Sequence, residues 1–311
     1  MSKQYLTLHT IDNAHPSDVF ALAAKKTQLL SASGSSFIRV YDTTQPDFPL
    51  RQTIDGAHPL GIHHLVTAKE AEKAASAGFE GKVRIWRAGE DGEWEAVGDI
   101  TDSNKPGSIW AIALSADGAY LASSSINGKI NVWSLSEASM PQIRSYETKG
   151  SFGLCVDLSA DGRFTASGHE NGSIYIFNND SGRLSHSVAG LVQPIRAVAF
   201  SPASKLVAAA GDARIIALYD VLSGEQIANF TGHGGWVLSL DWSDTGEYLL
   251  SGSHDSKAKI WRIETRSCVA THSHGDRPLW TARWLPKSTR SEMFALGGGN
   301  QAISFYREAA G

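Results

Sequence analysis

At 311 residues and 33.4 kDa, with 42% hydrophobic residues and no low-complexity tract, the chain has an ordinary globular composition and a length that by itself suggests two domains. A formal net charge of −4, a pI near 6.3 and no basic run longer than Lys25-Lys26 argue against direct binding to nucleic acid or to an anionic membrane. Cys155 and Cys268 stand far apart, which excludes a disulfide framework or a cysteine-based zinc site, and there is no apolar leader or spanning run; the expectation is a soluble intracellular protein, cytoplasmic, with a nuclear pool left open.

Read in chain order, one short pattern recurs. After a leading strand Tyr5–Ile11 come "FIRVYD" ending at Asp42, "KVRIWR" at Arg87, "KINVWS" at Ser134, "SIYIFN" at Asn178, "IIALYD" at Asp220, "KAKIWR" at Arg262 and "AISFYR" at Arg307. Each alternates with period two and ends in an aromatic residue: Tyr41, Trp86, Trp133, Phe177, Tyr219, Trp261 and Tyr306. The aromatics lie 42 to 47 residues apart. Hairpin turns precede several of them, as "SADG" (Ser115 to Gly118 and Ser159 to Gly162), "SPAS" (Ser201 to Ser204) and "SDTG" (Ser243 to Gly246). A polar residue (Asn127, Asn171, Asp212, Asp255, Asn300) then turns the chain into the aromatic-ended strand, and His15, His58 and His233 close the loop ahead of units 1, 2 and 6. The run "KEAEK" (Lys69 to Lys73) reads as a solvated loop, and no helix beyond a turn is expected.

This period and punctuation resemble the WD-repeat family along essentially the whole chain. The expected architecture is all-β, one seven-bladed WD40 propeller spanning residues 1–311. The last unit supplies strands near Leu279–Leu285, Met293–Gly297 and Ala302–Arg307 and is one strand short, so Tyr5–Ile11 is expected to pair as its outer strand and remove the open edge. Units 3, 4 and 5 ("SNKPGS", "YETKGS", "AGLVQP") lack the loop histidine, and weaker internal hydrogen-bond networks are expected there.

Within "SGSHDSKAKIW" (Ser251 to Trp261), serine, histidine and aspartate suggest a nucleophilic triad. The resemblance implies otherwise: His233, Ser251, Asp255 and Trp261 fall where WD repeats hold a structural tetrad, with the aspartate fixing the histidine tautomer, the histidine donating to the serine and the serine meeting the indole N–H. A triad also needs an exposed serine beside oxyanion donors. "GGGN" (Gly297 to Asn300) lacks any phosphate-loop context, and neither His63-His64 nor His272 and His274 have a carboxylate or cysteine at ligand spacing. No enzyme activity, metal or cofactor is expected.

Aligning the first strand of each unit gives a column Phe20, His63, Trp110, Leu154, Arg196, Leu238 and Trp280, with Asp18, Gly61, Ser108, Phe152, Pro194, Trp236 and Pro278 two residues earlier. Some of these could plug blade interfaces. Yet Phe20, Trp110, Arg196, Trp236 and Trp280 are oversized for an inner strand and belong to the residue types that dominate interface hot spots. A partner-binding face built from Asp18, Phe20, His63, Trp110, Phe152, Arg196, Trp236 and Trp280 is therefore expected, with Asp18 available to a partner's arginine.

Within the family, "SDVFALAA", "LGIHHLV", "IRAVAFSP", "GWVLSLDWSDTGEYLLSGSHD" and the terminal "ISFYREAAG" are similar to the small WD-repeat subunits of Ski (superkiller) complexes of fungal type. That resemblance implies a scaffold, monomeric on its own, that binds a tetratricopeptide-repeat subunit in a complex with an RNA helicase. Such a complex feeds cytoplasmic mRNA to the exosome for 3′-to-5′ decay. A meiotic double-strand-break protein is a further implied partner, and partners would present an arginine with a bulky apolar anchor. Among alternatives, a Gβ-type propeller needs a long N-terminal coiled coil, and only about ten residues precede unit 1. A cullin–RING substrate receptor would show W-D-x-R after the third strand, whereas Trp86-Arg87, Trp133-Ser134 and Trp261-Arg262 stand here. A histone-tail reader would want an acidic channel mouth, for which only Asp18 is in evidence.

Overall fold

The computed structural model describes residues 3–102, 107–188, 190–288 and 291–309. Most of "SNKPGS", Ala189 of "AGLVQP" and the last two residues of "ISFYREAAG" lie outside them. Seven four-stranded antiparallel sheets form a seven-bladed β-propeller, and the described residues contain no helix. In blades 1 to 6 the strands pair in chain order, from the innermost to the outermost. Blade 6, for example, runs Val237–Trp242, Tyr248–Ser253, Lys257–Arg262 and Ser267–Ser273.

Blade 7 takes Leu279–Ser288, Ser291–Gly298 and Ile303–Glu308 from the end of the chain and Tyr5–Ile11 from its start. Tyr5 lies opposite Glu308 and Ile11 opposite Ile303, so the N-terminal strand covers the edge that Ile303–Glu308 would otherwise leave open. Lys3 reinforces this seam, its ammonium 2.9 Å from both Glu292 and Glu308 and 3.9 Å from the ring centre of Tyr248 in blade 6.

The period-two pattern explains the packing. Alternate residues of a strand point to opposite faces, and here each face meets a neighbouring blade. Leu22 and Leu29 of blade 1 pack with Ile303 and Phe305 of blade 7, whereas Ala21, Ala23, Leu30 and Ala32 pack with Ile62, Leu65 and Trp86 of blade 2. The core is thus one apolar cluster per blade interface. The strand-ending aromatics Tyr41, Trp86, Trp133, Phe177, Tyr219, Trp261 and Tyr306 are all buried in these interfaces.

Each innermost strand has a free edge on the channel, and side chains from neighbouring blades satisfy parts of it. Asp157 accepts from the Phe200 N–H at 2.7 Å, Asp241 from the Trp284 N–H at 2.7 Å and Thr281 from the Leu22 N–H at 3.3 Å. Arg283 of blade 7 donates to the Leu22 carbonyl of blade 1 at 3.2 Å and to the Leu240 carbonyl of blade 6 at 3.0 Å. One guanidinium thereby joins three blades at the point where the ring closes.

Two local expectations are corrected. Asp212 is a turn residue, but it directly follows strand Leu206–Gly211, one place ahead of where Asp255 stands in its turn, so it is level with His254 and faces Arg196. The run Lys69 to Lys73 is not merely solvated. The carbonyls of its Lys69 and Ala71, with that of Ala68 just ahead of it, surround the ammonium of Lys25, and Lys73 donates to Gly118 and Leu135 of blade 3.

Candidate partner-binding face

In every blade the pairing between the first and second strands slips immediately after the first residue of the inner strand: between Val19 and Ala21, Ile62 and His64, Ile109 and Ile112, Gly153 and Cys155, Ile195 and Ala197, Val237 and Ser239, and Leu279 and Thr281. The column Phe20, His63, Trp110, Leu154, Arg196, Leu238 and Trp280 sits in these slips. A bulged residue has no partner opposite it and its side chain is re-aimed, so large residues fit there without disturbing the interfaces on either side. All seven are half-buried.

Six aromatic rings then run continuously along one rim. Trp280 meets Phe20 at 5.6 Å between ring centres, Phe20 meets Phe79 at 6.0 Å, Phe79 meets His63 at 4.8 Å, His63 meets Trp110 at 4.5 Å and Trp110 meets Phe152 at 5.2 Å. Polar contacts fix the floor. The indole N–H of Trp280 donates to Asp18 at 2.8 Å, and His63 Nε2 donates to the Trp110 carbonyl at 2.6 Å. Burial holds His63 neutral, its pKa pulled down to about 4, so the track presents no imidazolium at neutral pH.

Arg196 and Trp236 form a separate group. The Arg196 guanidinium grips both carboxylate oxygens of Asp212 and lies 4.6 Å from the Trp236 ring centre, with His254 on the other contact of that ring at 5.4 Å. Its charge is already neutralised. Among the described residues no ring contact joins this group to the aromatic track.

Phe79 is the residue the column alignment misses. It is the first residue after the second strand of blade 2, and at 43% exposure it is the most open ring of the track. Its N–H donates to the Gly61 carbonyl at 3.1 Å, and the same bond recurs from Ile126 to Ser108, Glu170 to Phe152, Asp212 to Pro194, His254 to Trp236 and Gly299 to Pro278. A second register therefore reaches the face at the head of the second-to-third turn in six of the seven blades. Gly61 permits the approach in blade 2: it has φ +93, and a Cβ there would run into the Gly34 carbonyl.

His233, Ser251, Asp255 and Trp261 lie below this face inside blade 6. His233 Nδ1 is 3.0 Å from Asp255, its Nε2 is 2.7 Å from Ser251 Oγ, and the Trp261 indole N–H donates to the same oxygen at 2.8 Å. Ser251 is fully buried. Burial lowers the His233 pKa although Asp255 opposes it, so the ring carries one proton. With that proton on Nδ1 toward Asp255, Ser251 donates to Nε2, the reverse of the direction expected from the sequence.

The model of the family described as "WD domain, G-beta repeat" matches residues 98–134, 143–178, 183–220 and 224–262. The chain is 38% identical over 310 residues to the meiotic recombination protein rec14 of Schizosaccharomyces pombe, covering 100% of this chain and 99% of that one. The chain belongs to the WD-repeat family. It is also 26% identical to the antiviral protein SKI8 of Saccharomyces cerevisiae, over the full length of both, which places it close to Ski8-like members. Mouse striatin is 25% identical over 68% of this chain and 29% of its own length. WD-repeat propellers are generally non-catalytic scaffolds, and this chain is a WD-repeat scaffold related to rec14 and SKI8.

The WD-repeat tetrad survives unevenly in the other blades. In blade 2, His58 pairs with Ser76 at 2.8 Å and with Glu80, and the Trp86 indole N–H donates to Ser76 at 2.9 Å; a glutamate takes the aspartate's part. Among the described residues blade 3 keeps only the Trp133–Ser123 bond, at 3.1 Å. Blade 4 lacks the loop histidine but replaces it from its own second strand, His169 bonding Ser167 at 2.9 Å and the Ser151 carbonyl at 2.9 Å. Its network is rearranged rather than simply lost. In blade 7, His274 is buried in the loop place, where Asn300 raises its pKa against the lowering effect of burial. Its Nε2 has no partner, because the pairing register puts Leu296 where blade 6 has Ser251. No group of three or more His, Cys, Asp or Glu side chains that could hold a metal occurs among the described residues.

Proposed function

We propose that this protein is a non-catalytic adaptor whose aromatic face holds peptide segments of partner proteins. The observation that carries the reading is the unbroken track from Trp280 through Phe79 to Phe152, which has the composition of a binding hot spot and lies open. Asp18, Phe20, His63, Trp110, Phe152 and Trp280 form its first contact region; Arg196 and Trp236 form a second. The full-length similarity to SKI8 and rec14 supports a place as the WD-repeat subunit of a Ski-like complex, bound to its tetratricopeptide-repeat subunit and RNA helicase. In that role it supports exosome-dependent 3′-to-5′ decay of cytoplasmic mRNA. The similarity to a meiotic recombination protein supports a second, nuclear role with a double-strand-break protein. The subunit is a monomer outside such assemblies.

Affinity purification of the tagged protein followed by mass spectrometry tests the partner set, in vegetative and in meiotic cells. Recovery of the tetratricopeptide and helicase subunits is expected with the native chain, and their loss with the Trp110→Ala, Trp280→Ala double variant. Full retention by a folded double variant would place the contact elsewhere.

A further inference from the structure

The turns from first to second strand surround the lower end of the central channel, opposite the aromatic face. The turn of blade 2 spans Ala68 to Glu72, between the strands Ile62–Thr67 and Lys73–Gly78. Lys25, at the end of the innermost strand of blade 1, is only 3% exposed. Its ammonium donates to the carbonyls of Ala68 at 3.0 Å, Lys69 at 3.2 Å and Ala71 at 2.7 Å, with the Glu72 carboxylate 3.5 Å away. An ammonium has three protons, and one loop takes all of them.

The loop's other contacts lead away from blade 1. The Glu70 N–H donates to the Ala116 carbonyl of blade 3 at 2.7 Å, and Lys73 Nζ reaches the Gly118 and Leu135 carbonyls at 3.0 and 3.2 Å. Lys69 extends to Asp244, in the corresponding turn of blade 6, at 3.2 Å. Blades 2 and 6 stand on opposite sides of a seven-membered ring, so this ion pair bridges the channel mouth. The Lys69 charge is also felt by Asp241, on the inner strand of blade 6.

We propose that Ala68–Lys73 is a strap drawn across the lower mouth of the channel and latched by Lys25, so that the channel is a blind well opening only toward the aromatic face. The energy of the latch lies in Lys25, because removing its charge leaves three carbonyls without their donor. Lys69 and Asp244 are both more than half exposed and contribute little energy; they set where the strap points. A partner segment on the aromatic face then lies across the ring and does not thread through it.

Hydrogen exchange with mass spectrometry on the full chain tests this. In the native protein the amides of residues 68–73 should exchange at least about tenfold slower than in a free peptide. Lys25→Met should remove about tenfold of that protection while leaving the third strand of blade 4 (Ile174–Asn178) unchanged. Lys69→Glu, which puts like charges together, should speed exchange by about threefold, and adding Asp244→Lys should restore it. If Lys25→Met does not fold, the two surface variants decide. Free-peptide exchange of 68–73 in the native protein, or exchange indifferent to both Lys25→Met and the Lys69→Glu/Asp244→Lys series, would overturn the strap.

Discussion

Ser251 Oγ receives the indole N–H of Trp261 at 2.8 Å while its own proton is directed to His233, so one buried hydroxyl serves as donor and acceptor at once. Ser251→Ala leaves two buried nitrogens without their partner, and a loss of about 1–3 kcal/mol in urea denaturation is expected. Ser123→Ala in blade 3 breaks, among the described residues, the bond to Trp133 alone and should cost less. By the same reasoning His274→Leu should cost less than Ser251→Ala, since His274 Nε2 has no partner and only the ring's bonds to Asn300 and the Ala302 backbone are lost. Equal losses at blades 6 and 7 would show that the tetrad does not act as a unit.

Phe79 touches Phe20, His63 and Trp110, and among the described residues it stays 43% exposed. Phe79→Ala should weaken partner binding by about tenfold or more, the loss typical of a hot-spot aromatic. Its melting temperature should stay near that of the native chain. Isothermal titration with the partner segment, beside a thermal melt, separates the two effects.

Arg283 ties blades 6, 7 and 1 through the carbonyls of Leu240 and Leu22. Replacing it with Met strands both carbonyls and should cost about 3 kcal/mol, from two charge-assisted bonds. Arg283→Lys can reach only part of this geometry and should recover part of the loss. A denaturant midpoint unmoved by Arg283→Met would show that closure rests on the N-terminal strand alone.

Acid should destabilise the ring. Burial pulls His15 and His63 down to about 4 and His64 to about 3, and it also lowers His58, His169, His233, His272 and His274. Unfolded, each takes its proton near 6.5, so below that value the unfolded chain binds more protons and stability falls as pH drops toward 4. Asp157, pushed up to about 6, and Asp241 act in the opposite sense, because the folded state protonates them first. Eight histidines against two carboxylates give a net loss, read as a lower melting temperature at about pH 5 than at about pH 7. A flat or rising melting temperature over that interval would contradict it.

The sequence alone determined the repeat, the seven aromatic-ended strands, the pairing of Tyr5–Ile11 with the last unit and the column of oversized residues. All of these are periodic, and the spacing of apolar and aromatic residues sets them locally. Only the tertiary structure decided how the column divides: Phe20, His63, Trp110 and Trp280 join through Phe79, while Arg196 is taken by Asp212 and Trp236. It also decided that Glu80 completes one tetrad, that His169 replaces a missing histidine from within its strand, and that "KEAEK" wraps Lys25. These contacts join residues from different turns and different blades. Their partners are fixed by closure of the ring, which brings side chains together at distances that no spacing along the chain records.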